Sequence, residues 1–391
     1  MWFGVVIPHL QLFFAALGFS PAGVGLILGA FQLAGVVGPI TLGHAADRWG
    51  RYRPVLASIV LVSSATLWAA GQSDSLGGVM LLAGLCGFFF RGAIPLTDAL
   101  ANATLSDPET DYGATRVAGS ISFIITNLVL QWTGIIDGTS AAAILVTILG
   151  AGALYLLSVP LLPGVQTTHG VRQAAQAVRA RAIPDAEPAS YQAPKTRDRE
   201  LIGLSRPVVL FLLTIFLGRV GMSGYFSFFS IFLNNEVGVS VVSGYWALGA
   251  IAEIPVMFLS GRLLSRFGAL RLVRFALFTM AVRLALWSFL RDPIALAATQ
   301  ILHAVTFGVF HVASVAFVTR HSRKEGLGLA LAAYTATALG VPQVLGSSIG
   351  GFVIEAYGFG VFYASFAVLP LASGIILARE MVKWRREGYL E

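Results

Sequence analysis

Nine ionisable side chains lie inside long apolar stretches of this sequence. A charge at the centre of a membrane-spanning helix costs about 2.5–3.5 kcal/mol on insertion scales, so such residues are functional candidates. Four arginines face only two carboxylates, and that imbalance is costly in a low-dielectric interior unless an anion compensates it. We therefore expect these residues to bind a small anion, most simply a carboxylate. The nine are His9, Arg91, Asp98, Arg116, Arg219, Glu253, Arg283, His303 and His311.

Spacing along the chain suggests which of these residues meet. Arg91 and Asp98 are seven positions apart, which would place them on one face of one helix, about 10 Å apart. His9 and His311 are expected to be hydrogen-bonded packing residues, and the other seven to line one polar cavity. The structural alternative is that buried ion pairs merely fix the helix register. Residues equidistant from a hairpin turn lie at similar depth, which pairs Asp98 with Arg116, Arg219 with Glu253, and Arg283 with His303.

The segments around these residues are more hydrophobic than a soluble domain. Of the 391 residues, 56% are hydrophobic and 12% are charged, and the mean hydropathy is +0.79. A soluble domain carries about 25% charged residues. Because apolar stretches recur from one end to the other, the sequence predicts a protein that lies largely within the membrane.

Twelve stretches are long and apolar enough to span a bilayer, which takes roughly 20 residues. Six lie on each side of a polar stretch at 163–205, which we interpret as a linker. The fold class is therefore an all-α membrane protein of twelve helices. The first span is short, which predicts either a start upstream of Met1 or a short, tilted helix, and a signal peptide is disfavoured because a basic n-region is missing. The spans are 2–18, 21–42, 54–71, 76–100, 114–134, 139–162, 206–233, 239–260, 270–290, 293–318, 326–350 and 355–379.

The basic residues are distributed unequally between the two sides of these spans. Lys and Arg number 21 in the even-numbered connections, the linker and the C-terminus, whereas the odd-numbered connections hold only Arg291. Because cytoplasmic loops carry the excess of Lys and Arg, we expect a multi-pass inner-membrane protein with a cytoplasmic linker and C-terminus. This topology explains the net charge of +7 without a nucleic-acid partner and leaves a generic contact with acidic lipid.

Several catalytic classes are disfavoured by what the sequence lacks. Cys86 is the single cysteine, so an internal disulfide and a thiolate zinc site are excluded. The sequence contains no GxxxxGK[ST] loop, which argues against an ATP-driven pump that carries its own motor. No nucleophile–base pair or metal-ligand cluster stands out. We therefore expect neither an enzyme nor a bound metal or cofactor.

A short motif follows the second span. The sequence reads GHAADRWGRYR, with Gly43, Asp47, Arg48, Gly50 and Arg51 at the fixed positions of G-x3-D-[RK]-x-G-[RK]-x-[RK]. It resembles the signature loop of the major facilitator superfamily, and a copy with serine in place of the acid follows 218 residues later. The resemblance implies a duplicated carrier fold, with six-helix bundles at 1–162 and 206–391.

The signature loop is expected to act in gating. Its glycines would permit a tight turn and a close approach of helices. Asp47 would accept a bond from a helix N-terminus or an arginine and so latch the cytoplasmic side shut. The plainer alternative is that the basic residues of the loop only anchor the topology.

The remaining motifs narrow the resemblance. The segments PLTDALAN at 95–102, DYGATRVAGS at 111–120 and QILHAVTF at 300–307 resemble the phenylpropionate permease branch of the superfamily. That branch is allied to lactose permease, a proton symporter. By this resemblance Asp98, Arg116 and Glu253 would bind substrate, while Arg283 and His303 would serve proton coupling.

The sequence departs from lactose permease at Thr306, where that protein has its titrating glutamate. Glu253 or Asp98 therefore becomes the expected proton carrier, since burial and nearby arginines change how readily each carboxyl group takes up a proton. Arg91 and Arg219 are additional to the branch pattern.

These observations together favour a secondary carrier that works as a monomer. The leading interpretation is proton-coupled uptake of an aromatic or other hydrophobic carboxylate by alternating access, with aromatic residues such as Tyr225 and Trp287 available to stack on a ring. The alternatives are uptake of a sugar or nucleoside, and drug efflux, for which we would expect less fixed positive charge. A membrane sensor with the same fold would leave the charged interior unexplained.

Overall fold

The computed structural model describes residues 1–105, 108–162, 204–322 and 326–386, with only the backbone described at 103 and 108–116. The predicted linker at 163–205 lies almost wholly outside these residues. The described chain is helical from end to end, and short 3-10 or π segments interrupt some helices. The helices are α1 (Trp2–Ala16), α2 (Pro21–Trp49), α3 (Tyr52–Ala70), α4 (Leu76–Phe90), α5 (Ala93–Thr104), α6 (Pro108–Thr133), α7 (Ala141–Ser158), α8 (Arg206–Asn235), α9 (Ser243–Phe267), α10 (Ala269–Phe289), α11 (Pro293–Ala298), α12 (Phe310–Arg320), α13 (Leu327–Thr335) and α14 (Val341–Arg386).

These helices follow the twelve predicted spans. The fourth span consists of α4 and α5, the tenth runs from α11 to α12, and α14 is divided at Gly358 between the eleventh and twelfth spans. Helix α1 has only 15 residues, so the first span is short, as expected. Within the described residues, eight continuous helical stretches are long and apolar enough to cross a membrane, and α1 and 117–133 are shorter apolar helices.

Helix ends coincide with residues that suit them. Ser20 caps α2 by accepting a bond from the Gly23 amide at 3.3 Å, and Asp292 caps α11 by accepting from the Ala295 amide at 2.7 Å. Helix α2 ends at Gly50, whose φ of 61° is a left-handed conformation that favours glycine. Gly358 has a φ of 78°, which explains why α14 bends there into two helices.

The described chain forms two compact units. The first contains the described residues up to 162 together with Ser240–Ala247, and the second contains 204–239 and the described residues from Leu248 onward. The units resemble the two predicted bundles, except that the first turn of α9 belongs with the first unit.

In the first unit, α2 and α4 approach each other with their backbones in contact. A Cβ added at Gly38 would overlap the carbonyl oxygen of Phe88, and a Cβ added at Gly87 would overlap that of Phe31. Small residues permit such close packing of membrane helices. Helix α4 also carries Cys86, whose side chain is fully buried.

In the second unit, α8 is surrounded by other helices. A Cβ at Gly221 would lie 2.6 Å from the Phe366 carbonyl oxygen, and a Cβ at Gly224 would lie 2.5 Å from the Phe362 ring. The glycines therefore bring α8 against the second half of α14. As a result, the polar residues of α8 are enclosed within the unit.

Three spans are not regular α-helices, and two of them, the fourth and the tenth, carry candidate residues. The fourth span is divided into α4 and α5 at Arg91 and Gly92, both of which keep right-handed helical dihedral angles. The shared helix face of Arg91 and Asp98 stays a prediction. A π segment, Ala304–Val309, follows His303, and a second, Ala336–Gly340, follows α13. Each π turn shifts the backbone bonding by one residue, which is a frequent feature of functional sites.

Candidate functional site

A chain of three polar side chains crosses the interior of the second unit. Nε2 of His303 lies 2.8 Å from Oε1 of Glu253, and Nδ1 of His303 lies 3.0 Å from Nη1 of Arg283. Arg283 is completely buried, whereas the side chain of Glu253 is 24% exposed. The chain therefore runs from a partly exposed carboxylate to a buried guanidinium.

The hydrogen-bond partners of His303 determine the tautomer of its imidazole. A guanidinium can only donate, so Nδ1 of His303 must accept the bond from Arg283. Nε2 then carries the hydrogen and donates a hydrogen bond to the Glu253 carboxylate. His303 is thus neutral, and it connects the negative charge of Glu253 with the positive charge of Arg283.

The remaining bonds of Arg283 go to neutral partners. Its Nη2 donates to Oε1 of Gln300 at 2.8 Å, and its Nη1 also donates to Oγ1 of Thr306 at 3.0 Å. The guanidinium carbon lies 4.6 Å from the ring centre of Tyr225 and 4.7 Å from that of Trp287. Cation–π contacts of this kind favour a cation that is removed from water.

Irregular backbone positions these groups. His303 stands between a 3-10 segment, Thr299–Leu302, and the π segment that contains Thr306. Close packing of α9 assists, because a Cβ at Gly249 would lie 3.3 Å from the His303 ring and one at Gly308 would lie 3.7 Å from Glu253. The glycines let α9 approach the tenth span closely enough for Glu253 to reach His303.

A second polar cluster in this unit surrounds Arg219. Arg219 is 2% exposed; its Nε donates to the Ala338 carbonyl oxygen at 2.7 Å, and its guanidinium carbon lies 5.3 Å from the Phe310 ring centre. Ala338 belongs to the second π segment. Near it, Nδ1 of His311 lies 3.0 Å from the hydroxyl of Tyr334, which itself lies near Arg219.

The hairpin positions predicted some of these contacts. Arg283 meets His303, as expected. Arg219 does not meet Glu253 in the described structure: Glu253 contacts His303, and Arg219 contacts Ala338. The reason is that equal depth fixes the level of a residue along its helix but not the direction in which its side chain points.

Candidate residues of the first unit are less completely described. Arg91 donates from Nη2 to Oε1 of Gln32, and its guanidinium lies 5.9 Å from the Phe31 ring centre. Asp98 is half-buried on α5, and its carbonyl oxygen accepts from the Asn102 side chain at 2.8 Å. Arg116 lies on α6, but its side chain is outside the described residues, so its pairing with Asp98 stays a prediction.

The signature loop joins α2 to α3. Gly50 makes the tight turn, as predicted, but Gly43 lies inside α2 with open space around it, so the expected close helix approach at Gly43 was wrong. Among the described residues, Asp47 accepts a bond from the Tyr52 hydroxyl and not from an arginine or a helix N-terminus. Arg48 and Arg51 are exposed at the end of the helix. The latching role of Asp47 stays a prediction.

Both packing histidines make hydrogen bonds. His9 is buried, with Nδ1 2.7 Å from the Val5 carbonyl oxygen and Nε2 3.0 Å from the Ser243 hydroxyl within the first unit. His311 belongs to the Arg219 cluster. The sequence reasoning missed Gln300, Gln32 and Tyr334, which contact the buried cationic and imidazole groups; a polar residue within an apolar run is the signal that points to the two glutamines.

Comparison with known proteins decides the family. The model of the MFS_1 like family, a family of the major facilitator superfamily, matches residues 2–365. The chain belongs to this family. It is therefore an integral membrane transporter of small molecules, not an enzyme.

Relatives in the family differ in what they carry. The chain is 28% identical over 376 residues to the probable 3-phenylpropionic acid transporter of Escherichia coli (strain K12), covering 94% of this chain and 92% of that protein. It is 25% identical over 386 residues to the maltose permease of Geobacillus stearothermophilus, covering 96% and 90%. The crystal structure of the nucleoside transporter NupG matches with a TM-score of 0.73 at 19% identity, over 97% of this chain and 95% of that one, which confirms the fold.

Proposed function

We propose that this protein is a proton symporter that takes up an aromatic or other hydrophobic carboxylate by alternating access. The observation that carries the proposal is the chain from Glu253 through His303 to Arg283. It places one acid and one permanent cation in an apolar interior, joined by a neutral imidazole. Similarity to the probable 3-phenylpropionic acid transporter supports the substrate class.

The charges suggest how proton and substrate would be coupled. When Glu253 is ionised, it offsets Arg283. When Glu253 takes up a proton, the positive charge of Arg283 is no longer offset, and a buried unpaired charge is costly. A carboxylate substrate restores the balance, so proton and anion bind best together. The proton is the coupling ion, and one copy of the protein, a monomer, carries out this cycle.

The test is uptake into proteoliposomes, with and without an inward proton gradient. We expect 3-phenylpropionate to accumulate only with the gradient, and maltose and uridine not to accumulate. Glu253→Gln cannot release or accept the coupling proton, so it should reduce gradient-driven accumulation to background while exchange of substrate across the membrane persists.

Glu236→Gln is the matched control, because Glu236 pairs with Arg291 at 3.5 Å away from this chain of residues. That variant should accumulate substrate as the wild type does. Unchanged accumulation in Glu253→Gln would remove Glu253 as the proton carrier, and the absence of any carboxylate transport would overturn the proposal.

Sugar or nucleoside uptake is the second candidate. The similarity to maltose permease and to NupG favours it. Gradient-driven accumulation of maltose or uridine, without competition by carboxylates, would select this candidate over the first.

A further inference from the structure

Arg219 is a buried cation whose charge has no carboxylate beside it among the described residues. Arg283 is different, because Glu253 offsets its charge through His303. The partners of Arg219 are a carbonyl oxygen, at Ala338, and the face of the Phe310 ring. A membrane interior makes such an isolated charge expensive to keep.

One terminal nitrogen of Arg219 is unused. Nη1 is buried and makes no hydrogen bond within the described part of the chain. A buried donor without a partner costs about as much as a lost hydrogen bond, and more when the group is charged. The residue as a whole is only 2% exposed, so bulk water does not offset this cost.

The groups around Arg219 suit an anion. Tyr334 is 2% exposed, lies near Arg219 and has its hydroxyl 3.0 Å from the His311 imidazole. Ser314, one turn beyond Phe310 on α12, is fully buried and lies near the Tyr334 hydroxyl. Arg219 can donate to a carboxylate through Nη1, and in the tautomer in which Nδ1 of His311 donates to the Tyr334 oxygen, the Tyr334 hydroxyl can donate to it as well.

A purely structural role explains only part of this arrangement. Arg219 holds a carbonyl oxygen of the π segment through Nε, and a neutral amide side chain could make the same bond. The positive charge and the free terminal nitrogen remain unexplained by that role.

We propose that Arg219, with Tyr334 and His311, forms the subsite that binds the carboxylate of the transported substrate. The inference rests on the proposed function, which it deepens by separating two tasks. The Glu253–His303–Arg283 chain takes up and releases the proton, and the Arg219 cluster binds the carboxylate of the substrate.

The two clusters are adjacent. Phe307 stacks between the imidazoles of His303 and His311, with ring centres 5.4 and 6.2 Å apart and planes nearly parallel. Arg219 also acts electrostatically on His303. An anion bound at Arg219 would offset that positive charge and so favour proton uptake by the Glu253–His303 pair.

Binding of 3-phenylpropionate to the purified protein tests the subsite, with the neutral 3-phenylpropionamide for comparison. Arg219→Gln removes a charge-assisted bond, so binding of the acid should weaken roughly 10- to 100-fold. Arg219→Lys should recover part of the loss, and Tyr334→Phe should weaken binding less. Arg291→Gln is the matched control, because Arg291 also lies over a phenylalanine ring but pairs with Glu236; it should bind as the wild type does.

The outcomes separate the two proposals. If the wild type binds the acid and Arg219→Gln binds it equally well, the subsite is wrong while the proposed function stands. If the wild type binds no carboxylate, the proposed function fails. Nitrate then tests the subsite as a bare anion: thermal stabilisation by nitrate that is lost in Arg219→Gln supports it, and its absence in the wild type overturns it.

A second variant does not depend on losing Arg219. Ser314→Asp would supply an internal carboxylate to the cluster. We expect this variant to unfold at a higher temperature than the wild type and to lose binding of 3-phenylpropionate. A variant that binds the acid as the wild type does would contradict the proposal.

Discussion

The buried guanidinium of Arg283 shows how this protein keeps a permanent charge inside a membrane. Two aromatic faces and three hydrogen-bond acceptors surround it. Glu253 lies on the other side of the His303 ring and balances its charge. The contact between Arg283 and His303 was predictable, because both residues flank a short turn. The contact between Arg283 and Gln300 was not predictable, because an amide within an apolar run indicates a buried polar residue but not the partner to which it bonds.

Gln300 is expected to contribute measurably to stability. It is fully buried, and its Oε1 accepts from Arg283 at 2.8 Å. Gln300→Leu keeps the size of the side chain but leaves Nη2 of Arg283 without that acceptor. The free energy of unfolding should fall by about 1–3 kcal/mol, measured by chemical unfolding in detergent.

Gln343→Leu is the control for this prediction. Gln343 is 8% exposed, and its Oε1 makes no hydrogen bond within the described residues. Its replacement should leave stability unchanged or raise it. If both variants lose stability equally, the bond between Gln300 and Arg283 is not the cause.

At the scale of helices, irregular segments lie beside several of the candidate residues. Arg91 lies at a break, Thr306 lies in one π segment, and Arg219 bonds to the Ala338 carbonyl in the other. Hydrophobic length predicted these spans correctly but could not predict their breaks. A π turn depends on tertiary contacts that offset its irregular bonding, and hydropathy does not encode those contacts.

Close packing of α2 against α4 provides the prediction at this scale. Gly38→Ala places a methyl group against the Phe88 carbonyl oxygen, which cannot move without its helix. We expect a loss of about 1–3 kcal/mol or more in the free energy of unfolding. Thermal unfolding in detergent measures it.

Gly77→Ala makes the same chemical change on α4, where nothing lies within 4 Å of the new methyl group. That variant should be as stable as the wild type or slightly more stable, because alanine favours the helix. Equal destabilisation of both variants would show that packing against α2 is not responsible.

For the whole molecule, the repeat and the signature loop predict two six-helix bundles, at 1–162 and 206–391. The assignment of Ser240–Ala247 to the first unit was not predictable. It depends on contacts such as those of Ser243 with His9 and of the Gly244 amide with the Gln131 side chain, which join residues more than 100 positions apart. Sequence spacing contains no information about such distant pairs.

The unequal distribution of Lys and Arg predicts the orientation in the membrane. A green fluorescent protein fused to the C-terminus should fluoresce, and alkaline phosphatase fused there should be inactive, because both reporters would remain in the cytoplasm. Fusion within the connection that contains Arg291 should reverse both results. An active phosphatase at the C-terminus would show that the orientation is opposite to the prediction.

The single cysteine has a practical consequence for experiments on this transporter. Cys86 is sealed inside the first unit, so a cysteine engineered at an exposed position will be the one thiol that a maleimide dye reaches in the folded protein. Pairs of spectroscopic labels can therefore be attached without first removing the native residue. The native thiol in turn reacts only when the helices separate, and the wild-type chain carries its own chemical reporter of unfolding.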